Sequence, residues 1–292
     1  MIVVVSTCHT GVGRTSPLKI AIFCFSGTGN TYRVAKTLCE TIRQTDHCDL
    51  YALENHLEDA DRLIETYDIV GLGYPIYGSS LPSIVFRFIE ALSAHQKKAF
   101  VFCTQLLFSG DGAAYGGRQL EKKGFVVLWQ EHFLMPNNIT DLRIFDRRKP
   151  YDFARIDRSI TKKAVRFTRW ILAGKEHRKG SNPISLFLGL LQRIPYGSMN
   201  PERLAQSVRI DSKRCVRCGA CVKLCPLANL RQTQEGIITQ KRCTLCYRCV
   251  NHCPTHAIRL FGNGFVRYAY HGPTSGFAIE SVKNDELDHT DP

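Results

Sequence analysis

The chain has 292 residues, 44% hydrophobic and 22% charged, which is enough to bury a full core plus a small second unit and unlike a collagenous or disordered polymer. Its formal charge of +13 calls for a solvated basic face or an acidic partner, and no stretch reaches the ~18 apolar residues of a membrane span. Of its 13 cysteines, eight crowd between Cys215 and Cys253, while Cys8, Cys24, Cys39, Cys48 and Cys103 are scattered; with no basic n-region in MIVVVSTCHTGVGRTS, the pattern predicts metal in a reducing cytoplasm, not secreted disulfides.

In chain order, residues 1–18 read as an N-terminal extension, and its Gly11-Val12-Gly13 is discounted as a phosphate loop because a strand follows it. Residues 19–179 then alternate β-rich runs (19–26, 48–53, 67–74, 97–104 and 125–135) with helical stretches (Asn30–Gln44, Pro82–Ala94, Asp111–Lys122 and Tyr151–Ala173). That alternation predicts an α/β domain, a doubly wound, five-stranded parallel sheet covered on both faces. In its last helix Phe153, Ile156, Ile160, Ala164, Phe167 and Ile171 form an apolar stripe opposite Arg155, Arg158, Lys162, Arg166 and Arg169. The basic segment 143–179 thus reads first as a solvated face and second as a dock for an acidic redox partner; no motif supports nucleic acid.

Residues 180–206 read as a connector containing an apolar helix, Ile184–Ile194, fenced by Pro183 and Pro195. It is too short to span a bilayer and is expected to seal a domain interface, with contact to a membrane surface the lesser reading. A second, small α+β domain is expected over 207–270, and 271–292 is read as a C-terminal tail.

The run Ser26-Gly27-Thr28-Gly29-Asn30-Thr31 lies between the first strand and the first helix. Backbone N–H groups of a Gly-rich turn at a helix N-terminus bind anions, and Ser and Thr hydroxyls add donors without charge, which suits a terminal phosphate monoester. There is no Lys for a triphosphate loop and no G-x-G-x-x-G for a dinucleotide. Pro75-Ile76-Tyr77-Gly78 follows the third strand, while Thr104, Gln105 and Ser109-Gly110-Asp111-Gly112 follow the fourth. In an open α/β sheet these loops converge beyond the strands' carboxyl ends. Tyr77 is placed to stack on an isoalloxazine, although a loop aromatic packed on protein is the plainer alternative.

Cys215, Cys218, Cys221 and Cys225-Pro226 have the spacing C-x2-C-x2-C-x3-C-P, and Cys243, Cys246, Cys249 and Cys253-Pro254 repeat it 28 residues later. Such runs hold [4Fe-4S] cubanes, with the fourth Cys of each run serving the other cluster. The expected tetrads are therefore Cys215, Cys218, Cys221 and Cys253, and Cys243, Cys246, Cys249 and Cys225. A pair of structural zinc sites is the rival, but the third closely spaced Cys is superfluous to tetrahedral zinc. Arg209, Lys213, Arg214, Arg217, Lys223, Lys241, Arg242 and Arg248 surround the runs and would favour reduced clusters, unless they are simply solvated charges. His252 is read as a surface residue, not a ligand.

Taken together, SGTGNT, GYPIYGSSLP and CYRCVNHCPTHAI resemble the bacterial ferredoxin-flavodoxin fusion family, over residues 19 to about 270. The resemblance implies FMN held by Ser26 to Thr31, Pro75 to Gly78 and the loop after Thr104, beside two [4Fe-4S] clusters. The basic segment departs from it, since flavodoxins and clostridial ferredoxins are usually acidic. No catalytic acid, base or nucleophile arrangement stands out, so the expected function is intracellular electron transfer, FMN and the two clusters exchanging single electrons. One alternative is an FMN-dependent iron-sulfur oxidoreductase that reduces a small-molecule acceptor and is fed through its ferredoxin domain. The other is a cluster-binding module on a flavin-free scaffold.

Overall fold

The computed structural model describes residues 16–142, 151–198, 206–261 and 266–273. The expected extension up to residue 15, the basic residues 143–150, part of the connector and the tail after 273 lie outside the described residues.

In the first domain each apolar run becomes a strand because both of its faces find cover. The strands are β1 (Lys19–Cys24), β2 (His47–Ala52), β3 (Ile69–Pro75), β4 (Lys98–Gln105) and β5 (Val126–Leu134). Along β1, Ile20 and Ile22 enter a core with Leu38, Trp129 and Phe167, while Ala21 and Phe23 enter the opposite one with Val85, Phe88 and Leu120. That is the period-2 alternation of a strand buried on both sides. Burying a side chain such as Phe23 or Phe167 contributes about 1.5–3 kcal/mol of transfer free energy, so the aromatic-rich faces fix the register.

Helices α1 (Asn30–Ile42) and α5 (Phe153–Leu172) cover one face; α2 (Ala60–Glu65), α3 (Ser83–Ala91) and α4 (Gly112–Glu121) cover the other. On α5 the expected stripe is inward, with Ile160, Ala164, Phe167 and Ile171 buried and Arg155, Arg158, Lys162, Arg166 and Arg169 exposed. Asp152 caps this helix, its carboxylate accepting from the Arg155 N–H at 2.9 Å.

The sheet order is β2-β1-β3-β4-β5-β6, parallel throughout. The expected five strands are corrected to six. The extra one, β6 (His177–Arg178), pairs with Trp129 and Gln130 at the sheet edge, and two polar residues carry no alternation that a sequence reading can detect. The order reverses between β1 and β3, which sets the crevice at their carboxyl ends.

Helix α6 (Pro183–Ser198) starts with Pro183 in its first turn and runs on past Pro195, which does not fence it. It does not seal the domain interface with its apolar face: Ile184, Phe187, Leu190, Leu191 and Ile194 are exposed. It docks instead through polar groups, Arg193 pairing with Asp111 at 2.5 Å and Gln192 accepting from Ser79 Oγ.

The second domain is built from two short antiparallel pairs, β7 (Arg209–Ile210) with β10 (Ile258–Arg259) and β8 (Leu230–Gln232) with β9 (Ile237–Thr239). Helices α7 (Ala220–Leu224) and α8 (Arg248–Asn251) each lie within one cysteine run. Val208, Leu230, Leu245, Tyr247, Val250, Ile258 and Leu260 form its own core. The two domains nonetheless interlock. Asp141, after β5, accepts from Tyr247 Oη at 2.8 Å and from the N–H groups of Leu260 and Phe261 at 2.6 and 2.9 Å. Thr140 and Asn138 bond to Asn251.

Candidate functional site

The turn after β1 positions the first site. Gly29 has φ 92°, a left-handed conformation cheap only for glycine, and it starts α1 with no side-chain cap. The first N–H groups of α1 are thus left for an anion. Ser26 and Thr31 are fully buried and Thr28 nearly so. Thr31 Oγ1 and Thr104 Oγ1 lie 2.8 Å apart, whereas Ser26 Oγ and Thr28 Oγ1 are buried with no hydrogen-bond partner. A buried hydroxyl left unmatched costs about 1–3 kcal/mol. Two such groups beside an uncapped helix start fit a phosphate monoester that supplies acceptors to both.

Around this turn opens a cavity of about 620 Å³. Its walls include Ser26, Gly27, Thr28, Asn30, Thr31, Pro75, Ile76, Tyr77, Gly78, Thr104 and Gln105, so the structure brings most of the predicted residues together. Gly29 and the stretch Ser109-Gly110-Asp111-Gly112 are not in the wall. Asp111 is fully buried between Arg118 and Arg193, and Ser109 Oγ donates to the Gln105 side chain, so this stretch braces the loop from behind.

Sequence reading missed several wall residues. Leu106, Leu107 and Phe108 continue the loop after β4; Met135 through Ile139 follow β5; Leu245, Tyr247 and Phe261 come from the second domain. The first group was legible as the rest of a loop already singled out, and the last only from the folded contact.

The cysteines gather as two tetrads. Cys215, Cys218, Cys221 and Cys253 line one small void, while Cys225, Cys243, Cys246 and Cys249 line another, each run lending its fourth Cys to the other void. Burial, with Cys253, Cys215 and Cys218 adding repulsion, pushes the Cys221 thiol up to about 11. Burial, then Cys246 and Cys225, pushes Cys243 up to about 12. Four thiolates so close are tolerable only with a cationic centre among them. Leu245 and Tyr247, on either side of Cys246, line the cavity, whereas none of Cys215, Cys218, Cys221 and Cys253 does, so the tetrad with Cys246 is the proximal one and the tetrad with the exposed Cys218 the distal one.

Arg248 ties the proximal tetrad to the phosphate turn. It is fully buried, donates from Nη2 to the Ser26 carbonyl at 2.7 Å and from Nε to the Gly27 carbonyl at 3.0 Å, and pairs with Glu54 at 2.5 Å. A Cβ on Gly27 would collide with the Cys246 carbonyl oxygen, which shows how closely the two segments pass. Tyr270 completes the junction, its Oη donating to Asn30 Oδ1 at 2.5 Å.

Residues 21–143 match the flavodoxin domain family and residues 207–254 match the 4Fe-4S dicluster domain family. An uncharacterized protein of Methanocaldococcus jannaschii is 33% identical over 75 residues; the match spans 26% of this chain and 45% of that protein, less than half of its length. Among solved structures, oxidised flavodoxin 1 from Bacillus cereus is 19% identical, with a TM-score of 0.37, over 52% of this chain and 97% of that one. General stress protein 14 of Treponema denticola, solved in complex with FMN, is 16% identical, with a TM-score of 0.37, over 54% and 99%. The chain thus carries a flavodoxin domain at 21–143 followed by a 4Fe-4S dicluster domain at 207–254, an order that matches the flavodoxin-ferredoxin fusion.

Proposed function

We propose that the protein is an intracellular electron carrier in which FMN and two [4Fe-4S] clusters exchange single electrons. A flavodoxin domain joined to a 4Fe-4S dicluster domain supports an electron-transfer role as such. The observation that carries the finer reading is the shared wall: Leu245 and Tyr247, on either side of Cys246, line the same cavity as the phosphate turn.

Ser26, Thr28 and the N-terminus of α1 would hold the FMN phosphate, and Pro75 to Gly78, Thr104 and Gln105 would border its ring. The distal and proximal tetrads would each hold one cluster. When bound, FMN supplies chemistry that accepts electrons singly or in pairs. The chain's own contribution is to set the two sites side by side with Arg248 between them and to keep bulk water from the buried proximal thiols. A reducing cytoplasm, in which the cysteines stay thiols, suits this reading.

The flavin-free scaffold is disfavoured by the unmatched Ser26 and Thr28 hydroxyls, which a folded scaffold would have no reason to bury. The apolar lip of Leu106, Leu107 and Phe108 favours the small-molecule reductase as a second reading. Anaerobic reconstitution with iron, sulfide and FMN tests the proposal: about eight iron, about eight sulfide and one flavin per chain are expected. Zinc alone, or a folded chain that takes no flavin, would refute it.

A further inference from the structure

The described stretch 206–261 carries ten Lys and Arg against two acids, Asp211 and Glu235. Arg248 is spent inside the molecule, but Lys213, Arg214, Arg217, Lys223 and Arg231 are exposed. Lys213, Arg214 and Arg217 immediately border Cys215 and Cys218 in sequence, and Arg217 is anchored to the outer hairpin, donating to the carbonyls of Gln234 and Glu235 at 2.9 and 3.2 Å. Amid these cations Val216 is 62% exposed and Cys218 is itself exposed. Exposed cations flanking an exposed apolar residue and an exposed cysteine of the distal tetrad have the chemistry of a steered electron-transfer dock.

We propose that the face formed by Lys213, Arg214, Val216, Arg217 and Cys218 is the docking surface for an acidic redox protein, with the distal tetrad as the port. The proposal rests on the reading of the tetrads as cluster sites. In each encounter one electron passes to the distal cluster, the partner losing one and the cluster gaining one, with no bond made or broken. The other exposed basic face, on α5, has no cysteine run beneath it: its inner side packs Phe167 and Ile171 into the sheet core. A partner held there would face apolar packing in place of a redox centre.

The test uses the full chain loaded with iron, sulfide and FMN, and a purified acidic two-cluster ferredoxin as probe. Two quantities are read: the Kd by calorimetry with both proteins oxidised, and the rate at which the reduced probe reduces the clusters. Both should weaken by about tenfold as NaCl rises from about 20 mM to about 300 mM, since exposed charges are screened. The variant K213E/R214E/R217E should weaken both by about tenfold or more at low salt, whereas R155E/R158E/R166E on α5 should change them less than about twofold. The milder K213Q/R217Q should fall between, and covers the case in which the reversed variant fails to fold.

Insensitivity to salt and to the Lys213–Arg217 changes would overturn the proposal, as would a larger effect from α5. So would a short DNA duplex that binds through these residues while the ferredoxin does not, which would reassign the face to nucleic acid. Photoreduction by a neutral deazaflavin separates the two levels of inference. If it reduces the loaded clusters at the same rate in every variant, any failure belongs to the docking face alone; if no cluster loads or reduces, the tetrad reading falls and takes the port with it.

Discussion

Ser26 and Thr28 are the residues on which the flavin reading can be tried most sharply. Both hydroxyls are buried without partners, whereas Thr31 already bonds Thr104. The double variant Ser26→Ala with Thr28→Val should therefore weaken FMN binding by about 100-fold, about tenfold per hydroxyl, in an anaerobic fluorescence-quenching titration. Unchanged affinity would remove the turn from the site. Thr31→Val acts on the Thr104 contact and should affect stability more than affinity. These residues were legible in sequence because SGTGNT sits where a strand meets a helix. Arg248 was not: it is one cation among many in a basic stretch, and only the folded chain shows it buried against Ser26 and Gly27 carbonyls. Replacing it with Met leaves the Glu54 side chain, 3% exposed, without its cation, and should cost about 3–5 kcal/mol of stability, read from unfolding midpoints.

At the level of elements, the long alternating strands and amphipathic helices were readable because period 2 and period 3.6 are imposed by burial itself. β6 was not, since two residues have no period, and α2 was not, since six residues give less than two turns. The apolar content of α6 was visible, but its orientation was not: the polar pair Gln192 and Arg193 decides which side faces the domain. The start of α4 makes a pH prediction. His132 Nε2 accepts from the Ala113 N–H at 3.1 Å, and burial, opposed by Glu131, pushes this imidazole down to about 4. An unfolded histidine titrates near ~6.5, so below that value the unfolded chain binds the additional proton and the folded one does not. His132 thus contributes stability that is complete above about pH 6.5 and is lost as pH falls toward about 4, about 3 kcal/mol in all. His132→Asn, which lacks the titration, should have an unfolding midpoint that changes less than wild type between about pH 7 and about pH 5. A parallel pH dependence in the two proteins would show that His132 is not the source.

Across the whole molecule, the division into two domains taken alone implies that loss of one cluster leaves FMN bound. The structure makes that outcome depend on which cluster is lost. Cys218 belongs to the distal tetrad and is exposed, so Cys218→Ser should leave FMN affinity within about twofold. Cys246 abuts the phosphate turn and packs into the flavodoxin-side core, so Cys246→Ser should weaken FMN by about tenfold or more. Gly27→Ala, whose added methyl meets the Cys246 carbonyl, should damage both centres together, read as a parallel fall in flavin and iron content. Equal behaviour of Cys218→Ser and Cys246→Ser would mean that the interlock carries no coupling.

The central claim is electron exchange within one chain, and pulse radiolysis of the loaded, oxygen-free protein reaches it directly. After a sub-stoichiometric pulse that reduces the clusters, their absorbance should recover as the flavin band bleaches, with one shared rate that does not change on about tenfold dilution, as an intramolecular step requires. A rate proportional to protein concentration, or clusters that stay reduced beside oxidised flavin of higher potential, would contradict the account.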